Sequence, residues 1–283
     1  MFLDVIFISY DEPNAEENYG NLLQKIPYAK RIHGVKGIAK AHLEAAKIAS
    51  TSHFFCIDGD NIIKDGFNFE KILDFQYSDQ RIHVWGCENS VNGLEYGYGG
   101  VKLFPTDIVR NSTHHSVDFC TSVAAANHGF RFHKEIASTT FFNTSPFNAW
   151  KSGFRECAKL SSGIIENQNV DETINRLSVW LSVGLDVLYG NYAILGARMG
   201  TELGLFHSTK RSIHKLPLLF DKSLDDINDF DKCKEIFDKQ VKNKDPNMLI
   251  EEYGRRLSSY LSPSPVLYPI ELSRHFKKTI YKL

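Results

Sequence analysis

The sequence lacks an apolar run approaching the ~18–20 residues that a bilayer-spanning helix needs, so no membrane-spanning segment is expected. It has no Cys-x-x-Cys pair. Its five cysteines, Cys56, Cys87, Cys120, Cys157 and Cys233, are odd in number and widely spaced. That argues against a zinc ribbon and against a disulfide scaffold. Neither sign of charge dominates: 33 Lys and Arg against 34 Asp and Glu leave a net charge of −1. There is thus no chain-wide field to attract a polyanion, only a mild excess of basic residues after Ser208. No repeat or biased tract is present, which excludes collagen-like, mucin-like and coiled-coil classes. Met1–Tyr10 shows neither a basic n-region nor a small-residue cleavage site. Together with the cysteine usage this gives the expectation of a reducing, cytoplasmic location. The sequons at Asn111 and Asn143 then read as chance matches.

The 283 residues are 42% hydrophobic and 24% charged, enough for a sizeable core in one large domain or two small ones. Asp4–Ser9 is a short apolar run rich in β-formers, followed by the turn-rich Tyr10–Asn14, and reads as strand then loop. Glu16–Gln24 reads as a short helix and Ala29–Val35 as a second strand. Ile38, Ala41, His42, Ala45, Ala46 and Ala49 recur at helical spacing after Gly37. His53–Ile57 is continuously apolar, as a buried central strand should be, and runs into Asp58-Gly-Asp60. Strand–helix–strand–helix–strand predicts a mostly parallel sheet flanked by helices, an α/β fold. Further strands are expected at Arg81–Asn89, Val101–Phe104 and Ala137–Asn143, with a glycine- and aromatic-rich loop at Asn92–Gly100. Ser145-Pro146 predicts a helix start, Ser as cap and Pro in the first turn, with Phe147, Trp150, Phe154, Cys157 and Ala158 inward. A helix over Asp171–Val183 would bury Ile174, Leu177, Trp180 and Leu181. The tail from about Leu218 reads as a helical appendage broken at Pro246.

In open α/β sheets, ligands sit beyond the carboxyl ends of the strands. Two acidic loops fall there: Asp11-Glu12 and Asp58-Gly-Asp60. Two carboxylates one residue apart at a strand exit can approach one hard cation. Mg²⁺ or Mn²⁺ takes oxygen ligands and keeps water or phosphate in its other positions. A diphosphate bridging it would have its charge matched as it leaves. Alone, Asp-x-Asp is also an ordinary turn; the strand before it is what favours the metal reading.

With those elements in place, Asp4–Tyr10, the helix after Lys36-Gly37 and Phe54–Asp60 resemble the nucleotide-sugar half of a GT-A glycosyltransferase. More narrowly, Asp4–Pro13, Arg31–Ile38, Tyr96–Lys102 and Ser145–Leu160 resemble phage-type glycosyltransferases of DNA base hypermodification, TET-associated type, which place a sugar on a hydroxymethylpyrimidine. The resemblance covers Met1 to about Gly204. It implies a GT-A catalytic domain over 1–207, with a nucleotide-sugar half at 1–104 and an acceptor half at 105–207, followed by a helical extension over 208–283. It implies Asp60 as direct metal ligand, Asp58 on the ribose or a metal-bound water with Gly59 between them, and Ser9, Tyr10 and Asp11 near the nucleobase and ribose. Lys36 would meet phosphate at a helix start, although an exposed Lys needs no such role. His207 would be a third metal ligand by chain order.

An inverting enzyme needs a base for the acceptor hydroxyl. Glu156 is the first candidate and Asp118 the second, though a solvated helix glutamate explains Glu156 as well. If configuration is retained, neither is required in that form. Tyr96–Gly100 would be an acceptor loop, and basic clusters around Lys210 and Arg274–Lys278 would meet phosphates. The expected activity is metal-dependent transfer of a sugar from a UDP-linked donor to hydroxymethylcytosine in bacteriophage DNA, with Mn²⁺ or Mg²⁺ as cofactor. The alternatives are a glycan, lipid or protein acceptor, a nucleotidyltransferase, and a non-catalytic nucleotide-sugar binding module.

Overall fold

The computed structural model of the chain describes residues 2–70, 79–96, 100–113, 119–126, 129–163, 169–208, 224–261 and 264–280. Two compact units divide it. The first is Met1–Ser90 with Glu95–Phe141; the second is Val91–Leu94 with Phe142–Leu283.

The first unit runs β1 (Asp4–Ser9), α1 (Ala15–Lys25), β2 (Lys30–His33), α2 (Ile38–Ile48), β3 (His53–Asp58), β4 (Asn61–Ile63), β5 (Ile82–Asn89), β6 (Glu95–Tyr96), β7 (Val101–Pro105), α3 (Thr106–Arg110), α4 (Phe119–Ala126) and β8 (Phe130–Thr140). Among the described residues these strands form one sheet in the order β2-β1-β3-β7-β5-β8-β4, with β6 on β5. β1 pairs in parallel with both β2 and β3, because an α-helix crosses over between each successive pair. Side chains alternate across the strands. Phe7, Phe55, Ile57 and Leu103 pack on one face with Leu22 of α1. Ile6, Ile8, Phe54, Cys56 and Phe104 pack on the other with Ala41, Ala45 and Ala46 of α2. Both faces are therefore covered, and the α/β expectation holds.

The sheet is mixed, however, and not mostly parallel. β7 runs antiparallel to both β3 and β5; the stretch between Asn89 and Val101 is too short for a parallel crossover, which takes roughly a dozen residues or more. β8 begins seven residues before the expected Ala137. Its first half alternates polar and aromatic residues, which the apolar criterion passed over.

The second unit holds α5 (Pro146–Ser162), α6 (Val170–Trp180), α7 (Gly190–Ser208), a 3-10 turn (Leu224–Asn228), α8 (Phe230–Gln240), α9 (Pro246–Leu257) and α10 (Ile270–Ile280). Ser145 caps α5 as expected, its side chain accepting from the Asn148 N–H at 3.1 Å. Ile174 is not inward: it is half exposed, while Leu177 and Trp180 are buried. α7 is a helix for which the sequence carried no expectation, and it has glycines at 190, 196, 200 and 204. They are contact points. A methyl group on Gly196 would lie 2.0 Å from the Trp150 carbonyl of α5, and one on Gly200 would lie 2.1 Å from the Phe154 carbonyl. Helices after residue 224 share this core: Leu224, Ile227, Ile236, Phe237, Ile250 and Tyr253 cluster with Trp150, Phe154 and Ile194. Buried Arg198 of α7 donates to the carbonyls of Leu181 (2.9 and 3.0 Å) and Ile250 (2.7 Å). No helix among the described residues is long and apolar enough to cross a membrane.

The glycine contacts give opposite signs at two positions. Gly196→Ala forces α5 and α7 apart and is expected to cost at least about 1–3 kcal/mol. Gly20→Ala, inside α1 with open space around the added methyl, is expected to stabilise by about 0.4–1 kcal/mol. Urea midpoints of the two variants against the parent measure both.

Candidate functional site

The site is built where β1 and β3 end side by side, Ile8 opposite Asp58. Gly59 follows at once, and only glycine fits there. A Cβ would meet the Ser9 Cβ at 2.9 Å, the Ile8 carbonyl at 3.0 Å and the Glu12 Oε2 at 3.0 Å. Asn18 of α1, itself buried, donates to the Gly59 carbonyl at 2.9 Å. The Asp60 carbonyl accepts from the Phe141 N–H at 2.7 Å. The turn is thus fastened to β1, to α1 and to the end of β8, which fixes where its two carboxylates emerge.

Their surroundings differ. Asp58 is paired: Lys102 of β7 donates from Nζ to its two oxygens at 3.0 and 3.1 Å. The Lys102 side chain is 10% exposed and that of Asp58 32%, so the pair turns its carboxylate side outward. Burial by itself would lower the Lys102 pKa. The Asp58 charge, with the neighbouring Cys120 and Cys56 and the Asp58 hydrogen bond, outweighs it and holds the ammonium above its ordinary range.

Asp60 forms no ion pair among the described residues. Its Oδ1 accepts from the Asn61 amide at 2.7 Å. That amide is set in place through its own oxygen, which accepts from the Ser138 hydroxyl at 2.8 Å. Burial, then the neighbouring Asp58 and Glu12 carboxylates, push the Asp60 pKa from 3.8 up to about 6. Glu12 is tied in by the Tyr10 N–H, which donates to its Oε2 at 2.7 Å.

Ser9 is buried, and its hydroxyl lies 3.0 Å from Arg31 Nε and 2.9 Å from His33 Nδ1. Tyr10 is half-buried and Asp11 exposed on the following loop. Lys36 is exposed, just before Gly37, whose φ of +96° turns the chain into α2; no side chain caps that helix start. The structure therefore brings Ser9, Tyr10, Asp58, Gly59 and Asp60 to neighbouring strand ends. Glu156 is half-buried on α5, and His207 half-buried in the last turn of α7; both belong to the second unit. Asp118, the basic cluster at Lys210 and Gly97–Gly99 lie outside the described residues. Sequence reasoning missed Lys102, whose signal was a single charge inside an apolar strand. It also gave Glu12 no role of its own beside Asp11.

A divalent cation fits this corner. Asp60 presents a carboxylate with two acidic neighbours and no cation of its own. No group of three or more His, Cys, Asp or Glu side chains among the described residues is arranged to hold an ion unaided. The donor set suits a metal that keeps water and substrate oxygens around it, as Mg²⁺ and Mn²⁺ do.

No family model matches the sequence, and no curated protein matches it. Among solved structures the chain is similar to S. aureus TarS 1–349, at 11% identity over 86% of this chain and 93% of that one, with a TM-score of 0.37. The same protein in complex with UDP gives 9% identity over the same shares and a TM-score of 0.38. HddC from Yersinia pseudotuberculosis, complexed with GMP-PN, gives 13% identity over 48% of this chain and 92% of that one, with a TM-score of 0.35. Likeness at this level carries no statement about activity.

The raised Asp60 pKa has a consequence for stability. The folded state holds this proton more tightly than the unfolded chain does, so stability falls as pH rises from about 4 to about 6 and stays lowered above that. Each pKa unit is worth about 1.4 kcal/mol, so the cost above pH 6 is on the order of 1–3 kcal/mol. Asp60→Asn in EDTA is expected to melt higher than the parent at pH 8 and level with it at pH 4. Calorimetric scans at the two pH values decide this.

Proposed function

We propose that the chain is a metal-dependent glycosyltransferase that moves a sugar from a nucleoside diphosphate donor, UDP-linked in the first instance, to a hydroxyl acceptor. The observation that carries this reading is the uncompensated Asp60 carboxylate at the exit of β3, beside a second carboxylate already paired with Lys102. A corner of this kind suits a ligand that brings its own anionic oxygens together with a cation, which is what a metal–diphosphate does.

In this reading Asp60 holds the metal and Asp58 faces the ribose. Tyr10 and Asp11 border the nucleobase, and Lys36 with the start of α2 meets phosphate. The bound cation supplies Lewis-acid stabilisation of the charge that develops on the leaving diphosphate. Glu156 is our proposed base, with Asp118 second. It takes the proton of the acceptor hydroxyl as that oxygen bonds to the anomeric carbon and the bond from that carbon to the diphosphate breaks. His207 is proposed as a further ligand. The acceptor we propose is the hydroxymethyl group of modified cytosine in DNA. The resemblance of Asp4–Pro13, Arg31–Ile38, Tyr96–Lys102 and Ser145–Leu160 to DNA-modifying transferases supports it.

The test is mass spectrometry of nucleosides from hydroxymethylcytosine-containing DNA incubated with protein, Mn²⁺ or Mg²⁺ and a panel of UDP-sugars. The expected result is a gain of one sugar residue with one UDP released per transfer. Pyrophosphate release from a nucleoside triphosphate would replace this reading with nucleotidyl transfer, and a gain only on a glycan acceptor would replace the DNA assignment. Asp60→Asn is expected to lower kcat by about 10²–10³, the scale of losing one charge-stabilising group. Glu156→Gln is expected to lower kcat by about 10²–10⁴ with KM for the donor unchanged, as for a lost general base.

A further inference from the structure

We propose that Lys102 is a specificity-determining residue that divides the two aspartates between two kinds of ligand. Bridged through both its oxygens by a nearly buried ammonium, Asp58 serves as an acceptor for neutral hydroxyls and not as a metal ligand, which leaves Asp60 to carry the cation. The assignment of the hydroxyls to a ribose rests on the function proposed above; the exclusion of metal from Asp58 does not.

The geometry argues this from three sides. Lys102 lies opposite Cys56 in the β3–β7 register, two residues before Asp58 on the same face of β3, so its stem runs along the sheet and its Nζ ends beneath the carboxylate. With a side chain only 10% exposed, Lys102 has little room to swing out and release its partner. A divalent cation on Asp58 would thus sit beside a fixed positive charge in a partly desolvated corner, where like charges repel strongly. A hydroxyl brings no net charge and meets no such penalty. The carboxylate still has lone pairs on its exposed side, and its two oxygens match the spacing of a vicinal diol.

Asp60 is the opposite case. The Asn61 amide donates to its Oδ1 and the Thr140 side chain adds a hydrogen bond, both neutral groups, while the nearby charges of Asp58 and Glu12 are negative. Lys102 thereby also sets the sign of the corner. It cancels one of three clustered carboxylates and leaves a site whose remaining charge suits one divalent ion and not two.

The experiment uses the full chain, with folding of each variant checked by circular dichroism. Mn²⁺ binding without nucleotide is followed by electron paramagnetic resonance. Asp60→Asn is expected to weaken binding by about 10–100-fold, the usual cost of disturbing a metal site, while Asp58→Asn, which removes no ligand but leaves the Lys102 charge unanswered, is expected to weaken it by clearly less than Asp60→Asn does. Lys102→Met frees Asp58 and is expected to tighten Mn²⁺ by at least about tenfold; adding Asp58→Asn to it cancels the gain. In EDTA, calorimetry compares UDP with its 2′,3′-dideoxy analogue. The parent is expected to prefer the ribose by about 10–100-fold, the worth of hydrogen bonds to a charged group. Asp58→Asn loses that preference and Asp60→Asn keeps it.

The proposal is overturned if Asp58→Asn weakens Mn²⁺ as much as Asp60→Asn does, or if Lys102→Met leaves Mn²⁺ affinity unchanged or lowers it. Should Lys102→Met not fold, the comparison of Asp58→Asn with Asp60→Asn still decides. A protein that binds Mn²⁺ in this pattern but no UDP refutes the nucleotide-sugar function and keeps the role of Lys102. A protein that binds neither refutes both.

Discussion

Buried negative charge must be answered, and among the described residues several buried or half-buried carboxylates are each answered by a specific cation. Asp4 is met by Lys30 and by hydroxyl and backbone donors of Ser50 and Thr51. Asp79 is met by Arg81 and Arg131, Glu202 by Arg256 and Asp186 by Lys277. At the exit of β3 the same rule holds for Asp58 and fails for Asp60. An ionised carboxylate left without a cation in a partly desolvated place is costly, and a fold that keeps one has placed it where something from outside can complete it. That imbalance makes the corner a candidate site.

The imbalance persists because the turn cannot relax. Gly59 presses against the end of β1, and its carbonyl is clamped by Asn18. The Asp60 backbone is held by Phe141, and its side chain by an Asn61 that is itself fixed from Ser138. Swinging Asp60 outward to full solvation would break several of these contacts, each worth on the order of 1 kcal/mol. These hydrogen bonds hold the carboxylate where burial raises its pKa. This is the sense in which sites are held at the expense of local stability, and it ties the chemistry of the corner to the packing of β1, α1 and β8.

Much of this frame is legible in the sequence, because β1, α2 and β3 carry unmixed signals. Asp4–Ser9 and His53–Ile57 are uninterrupted apolar runs, and α2 shows alanines at helical spacing with a glycine before it. Charged turns after two parallel strands then locate the acidic corner from the sequence alone. What sequence reading missed has physical causes. Lys102 stands in an apolar strand, where one lysine reads as a solvent-facing residue; only pairing of β7 with β3 shows that its ammonium lies beneath Asp58. Glu12 reads as a surface turn until Gly59 is seen packed against it. α7 carried no expectation, and glycines at 196, 200 and 204 lower its helix propensity. Their spacing of four puts them on one face, which is what lets α5 approach so closely. The antiparallel direction of β7 was not legible, because local apolar character carries no information on strand direction.

The same reasoning shows why the two aspartates of a symmetric-looking tripeptide are not equivalent. Successive residues of a strand point to opposite faces, and Asp58 is still in β3, on the face shared with Cys56 and Lys102. Asp60 lies past the strand end, after a residue that cannot carry a side chain, and no pleat directs it toward Lys102. One lysine can therefore reach only one of them. Had Lys102 been one position earlier or later in β7, its side chain would have left from the other face of the sheet, and both carboxylates would stand uncompensated together. The register of one antiparallel pair thus decides whether the corner presents one unanswered negative charge or two, and with that the charge of the ligand it can accept.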